Sequence, residues 1–148
     1  LVAGLSASAS FLNSMIVMRL GMRRLISAAL RIQIVWSLGM LLLYAQGLMA
    51  GDLGFTLFIF WIFGLFFQAG MTLGNLTALA MEPLGHIAGT AASVTSAVAT
   101  LGSILLASVA GQLFDGTPLI LIVAIFVLSI CGSLSAHRLK RFERRAAV

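Results

Sequence analysis

From Leu53 to Phe114 the only Asp, Glu, Lys or Arg is Glu82, and that near-absence of charge restricts the fold more than any motif does. Roughly 20 apolar residues suffice for one helix to cross a bilayer. The whole chain is 61% apolar and 9% charged, whereas an average soluble domain carries about 25% charged residues. A soluble globule is excluded. Hydrocarbon offers backbone groups no hydrogen bonds, so uncharged runs of this length read as helices, and the predicted fold class is an all-α membrane protein.

Charges and turn residues punctuate five predicted crossings, at about residues 1–18, 25–50, 55–81, 87–114 and 118–136, followed by a basic tail at 137–148. Arg19, Arg23 and Arg24 close the first, and Asp52, between Gly51 and Gly54, marks the turn after the second. Glu82-Pro83 ends the third. Asp115-Gly116-Thr117-Pro118 reads as a turn in which Thr117 caps the fifth helix and Pro118 is its first residue. The chain opens apolar at Leu1, so further chain is expected before it, and the five spans form most of one bundle.

The formal net charge of +5 does not point to nucleic acid, because the basic residues flank apolar runs instead of forming a stripe on a wet surface. Cytoplasmic loops are enriched in Lys and Arg. With five spans, Arg19, Arg23 and Arg24 share one face with Arg138, Lys140, Arg141, Arg144 and Arg145, which predicts a multi-pass protein with a cytoplasmic C-terminus. Arg31 is expected at the interface, with a span at about 32–51 and its long stem reaching the headgroups. A buried arginine would need an acidic partner, and no span contains one. Cys131 stands alone, so no disulfide framework exists. Glu82 and His86 are too few for a zinc site, which takes three or four ligands. No catalytic residue, metal or cofactor is expected.

The third span carries the most organised polarity. Gln68, Thr72 and Asn75 fall at i, i+4 and i+7 on one helical face, and Gly70, Gly74 and Ala78 form a small-residue row on roughly the opposite one, suited to close helix packing. The amides read equally as the wall of a substrate pathway or as hydrogen-bonding glue between helices. In the fourth span Gly89, Ser93 and Gly111 belong to a small-residue stripe, expected to pack, while Val94, Val98, Leu101, Leu105 and Val109 face the other way, toward lipid.

The first loop, Met18-Arg19-Leu20-Gly21-Met22-Arg23-Arg24, resembles the loop signature of the major facilitator superfamily, G-x-x-x-D-R-x-G-R-R. Arg19, Gly21 and Arg23 fit it, while Ser14, Met18 and Met22 depart from it, as in the decayed second copy between the eighth and ninth helices of that superfamily. Ser10-Phe11-Leu12-Asn13-Ser14, Met81-Glu82-Pro83 and Ala88-Gly89-Thr90-Ala91-Ala92-Ser93 are similar to its drug:proton antiporters, especially the bicyclomycin-resistance (Bcr/CflA) branch. The resemblance implies helices eight to twelve of a twelve-helix exporter of drug-like molecules in a bacterial inner membrane. It places the first, third and fourth spans at the cavity and the second and fifth at the periphery. Asn13, Gln68, Thr72 and Asn75 would then line the pathway, and Arg19, Gly21, Arg23 and Arg24 would gate it. The implied partners are lipid, the preceding helices of the same transporter, a small-molecule substrate and protons. A small helical assembly subunit and a membrane-embedded enzyme are the alternatives.

Overall fold

The computed structural model describes residues 2–146, and the side chains of residues 8, 9 and 11–139. Among these it forms helices α1 (Val2–Leu20), α2 (Met22–Ala45), α3 (Gly51–Met81), α4 (Ala88–Gln112) and α5 (Leu119–Ala146), with a 3-10 turn, Glu82–Ile87, between α3 and α4. No strand occurs among the described residues. The protein is all-α, and among the described residues three helical stretches are long and apolar enough to cross a membrane: Met22–Ala45, Gly51–Gln112 and Leu119–Leu139. The second runs through α3, the 3-10 turn and α4; the apolar stretch of α1 among the described side chains, Phe11–Leu20, is shorter.

Several helix ends differ from the sequence expectation, each for a local reason. The second helix stops at Ala45 instead of continuing to residue 50. Gly47 adopts φ +74; its N–H donates to the Tyr44 carbonyl, and the Leu48 N–H donates to the Leu43 carbonyl. That pair of bonds is the Schellman stop, in which a left-handed glycine satisfies the last carbonyls. α3 accordingly starts at Gly51 and includes Asp52 in its first turn, where a carboxylate faces the positive end of the helix dipole. A methyl group on Gly54 would overlap the Met49 backbone, so the turn at 46–50 folds tightly over the start of α3.

Pro83 ends the third helix as expected: it lacks an N–H for the ladder, the turn becomes 3-10, and Leu84 leaves helical geometry at φ −113, ψ 21. Thr117 does not cap α5. Its amide and its hydroxyl both donate to Asp115 Oδ1, at 3.0 and 2.7 Å, while the Pro118 carbonyl accepts the first helical bond, from Ile122. The helix begins one residue late, at Leu119. The basic tail is not a separate segment either: α5 continues to Ala146, since its Arg, Lys, Glu and Ala are good helix formers. The side chains of Lys140, Arg141, Arg144 and Arg145 lie outside the described residues.

α1 packs along α3, α3 along α2, and α2 along α5. Met40, Trp61 and Ile122, from α2, α3 and α5, form the buried centre, with Trp36, Leu41, Leu43, Met49, Phe58, Ile62 and Ile125 around it. Trp36 meets Phe60 with ring centroids 5.6 Å apart and lies over Gly64, where a methyl would stand 3.3 Å from the indole. On the other side of α2, a methyl on Gly132 of α5 would stand 3.4 Å from Leu30. α4 meets α3 and α5 only sparsely and has no buried residue.

Candidate functional site

The buried residues of α3 are Gly54, Trp61, Thr72 and Asn75. With half-buried Gln68 they form one stripe, stepping by seven, seven, four and three residues, which keeps them on one helical face. The polar row therefore continues the apolar core stripe, and α3 packs through it.

Its principal partner is Asn13 of α1. The Asn75 Nδ2 donates to Asn13 Oδ1 at 2.6 Å, the Asn13 Nδ2 returns a longer bond to Asn75 Oδ1 at 3.4 Å, and Asn75 Nδ2 also donates to the Met71 carbonyl at 2.9 Å. Ala9, one turn before Asn13, is fully buried, and its small side chain permits close approach. Thr72 bonds locally, its hydroxyl donating to the Gln68 carbonyl at 2.9 Å. Gln68 differs from the rest: its side-chain Oε1 is buried with no hydrogen-bond partner among the described residues. Of the four pathway candidates, Asn13 and Asn75 thus meet directly, with Thr72 and Gln68 one and two turns back along the same stripe.

The glycine row of α3 sits elsewhere. Gly70 is half-buried, while Gly74 and Ala78 are exposed, and a methyl on Gly74 would meet nothing. The expectation that Gly74 marks a close helix crossing is not met among the described residues, because the amide face takes the contact with α1. The stripe of α4 is similarly open. Gly89, Ser93 and Gly111 are exposed, methyls on Gly89 and Gly111 would touch nothing, and the Ser93 hydroxyl bonds within the helix to the Gly89 carbonyl. Val94, Val98, Leu101, Leu105 and Val109 on its other side are exposed as well.

The short basic loop holds Arg19, Arg23 and Arg24, all exposed. Gly21, at φ 77 and ψ 149, precedes α2 in a conformation essentially restricted to glycine. Gly21, Arg23 and Arg24 line a hollow of about 290 Å³ together with Leu20, Met22, Leu79 and Glu82. This brings Glu82, at the far end of α3, to the same place as the loop arginines. His86 is exposed on the 3-10 turn, and no group of three or more His, Cys, Asp or Glu among the described residues could hold a metal ion.

Sequence reasoning missed a second polar pair. Gln33 and Ser37 of α2 are buried, and the Gln33 Nε2 donates to Ser37 Oγ at 3.1 Å. The signal was present, since Gln33, Ser37 and buried Met40 repeat the i, i+4, i+7 spacing of Gln68, Thr72 and Asn75. Trp61 Nε1 is a further buried polar atom without a partner among the described residues.

Outside the helices, the Thr117 hydroxyl and amide bonds hold the Asp115 carboxyl below its ordinary pKa. Compared with known proteins, the chain matches no family model, no curated protein and no solved structure.

Proposed function

We propose that the chain is the membrane-embedded C-terminal part of a secondary transporter of the major-facilitator type. In this reading it exports drug-like small molecules in exchange for protons, by alternating access around a site near the bilayer midplane. One observation carries the proposal: the polar stripe of α3 is buried along the bundle, and within it Gln68 keeps a buried acceptor that no described donor satisfies. Such an atom is costly, and a ligand donor would relieve the cost. Binding cavities are mostly apolar surfaces with a few convergent polar groups.

Two further features favour this reading. α1 and α3, two of the three helices that the resemblance assigns to the cavity wall, pack together, while α2 and α5, assigned to the periphery, pack with each other, α2 also packing along α3. The small-residue stripe of α4 is open to a further bundle, namely the preceding helices of the same transporter. Asn13 and Asn75 then hold the wall together and Gln68 and Thr72 meet substrate. Asp52, Glu82 and Asp115 stand at helix ends or turns, and Glu143 lies in the basic end of α5, beyond the apolar stretch that ends at Leu139; in this reading the acid that carries the proton belongs to those preceding helices. The basic loop and tail face the cytoplasm of a bacterial inner membrane. No residue is assigned a catalytic role.

Efflux of ethidium and of a panel of other lipophilic cations, from cells expressing the complete reading frame that encodes the chain, tests the proposal. Gln68→Leu is expected to change which compounds are exported at unchanged protein abundance. Reduced abundance with an unchanged profile would make Gln68 a packing residue and remove the main support for transport.

A further inference from the structure

The interfacial placement of Arg31 rested on a different end for the second helix. The interfacial position required a span at about 32–51, and α2 ends at Ala45. Counting about 20 residues back from Ala45 puts the hydrocarbon boundary near Ile26, so the Arg31 backbone lies roughly 8 Å inside it. α5 gives the same depth independently. Leu30 packs at the level of Gly132, which is about 13 residues into a span that begins at Leu119 and reaches its boundary near Arg138, roughly 9 Å farther on.

At this depth Arg31 is exposed at the outer surface of the bundle and makes no hydrogen bond or ion pair with any described residue. It adjoins an open apolar hollow of about 450 Å³ whose other walls are Ile32, Val35 and Trp36. A charge inside hydrocarbon demands a counter-charge. A carboxylate on a neighbouring protein helix would itself have to be buried at that depth, whereas a lipid phosphate already stands at the boundary, within reach of the extended guanidinium stem.

We infer that Arg31 binds the phosphate of an anionic phospholipid, with an acyl chain of the same lipid lying in the hollow of Ile32, Val35 and Trp36. The phosphate of a zwitterionic lipid is partly neutralised by its own headgroup cation, so the site discriminates for net negative charge. The inference requires that α2 crosses the membrane, and does not depend on transport.

The two tryptophans of the chain make the site readable. Trp36 lines the hollow, and Trp61 is buried in the core; Trp61→Phe leaves Trp36 as sole reporter. The full chain carrying Trp61→Phe is reconstituted in phosphatidylcholine vesicles with a small fraction of either phosphatidylglycerol or phosphatidylcholine bearing brominated acyl chains. Brominated phosphatidylglycerol is expected to quench Trp36 about fivefold more effectively at equal mole fraction. That preference is lost in Arg31→Gln and retained in Arg31→Lys. Equal quenching by the two lipids, or a preference that survives Arg31→Gln, overturns the inference. Protection of Trp36 from both lipids overturns it too, by showing that a protein segment or a second copy of the chain covers the hollow.

Discussion

Asn13 and Asn75 bond to each other across α1 and α3, Nδ2 of Asn75 standing 2.6 Å from Oδ1 of Asn13. Each amide is the other's inter-helix partner, in a region where a lone amide has little else to bond. Replacing either by leucine removes the other's inter-helix partner, leaving Asn75 only its bond to the Met71 carbonyl, whereas replacing both removes the polar pair altogether. Asn13→Leu and Asn75→Leu are each expected to lower stability by about 1 kcal/mol. The double variant should cost less than the sum. Thermal unfolding of the four proteins in one detergent measures the coupling; strict additivity would mean that the two amides act independently.

Gly54 should tolerate no side chain. A methyl there collides with the backbone of Met49, which the Gly47 turn holds in place, so Gly54→Ala should cost about 1–3 kcal/mol. Gly74→Ala, on the open face of the same helix, should be neutral or slightly stabilising through helix propensity. Equal melting temperatures for the two variants would contradict the tight turn at 46–50.

The gating role proposed for the basic loop separates from mere topology. Arg23→Gln with Arg24→Gln should lower export more than it lowers membrane insertion, because the loop and Glu82 line one hollow. Efflux normalised to membrane-inserted protein is the readout. Equal losses would leave the arginines with only their part in setting orientation.

The turn before α5 should loosen in acid. Asp115 has its pKa lowered chiefly by the Thr117 hydroxyl and then by the Thr117 amide. Its contribution is therefore complete above the ordinary carboxylate range and is lost as pH falls through the lowered value. Exchange of the Thr117 amide, corrected for intrinsic rate, should accelerate below that range. Thr117→Val should raise the Asp115 pKa, and an unchanged titration would show that the hydroxyl bond is absent in solution.

The helical class and the punctuation at Glu82-Pro83 were readable because charge exclusion and a missing N–H act locally. The row Gln68, Thr72, Asn75 was readable as a face for the same reason, but not what it faces. Its pairing with Asn13 depends on how α1 lies against α3, which no spacing within one helix specifies. Gly47 shows the opposite failure: the stop was written in Gln46-Gly47, yet the apolar residues beyond it mimicked a longer span. That one turn displaced the end of α2 and, with it, the depth assigned to Arg31.

Access of water to Gln68 tests the transport reading most directly. In the complete transporter carrying Cys131→Ala and lacking any other cysteine, Gln68→Cys and Leu73→Cys are compared for labelling by a membrane-impermeant maleimide. Leu73 is 68% exposed, on a different face of α3, and should face lipid. Position 68 is expected to label and to be protected by ethidium, while position 73 stays unlabelled. Labelling at 73 but not at 68, or labelling at 68 that ethidium leaves unchanged, would contradict a substrate pathway along this face of α3.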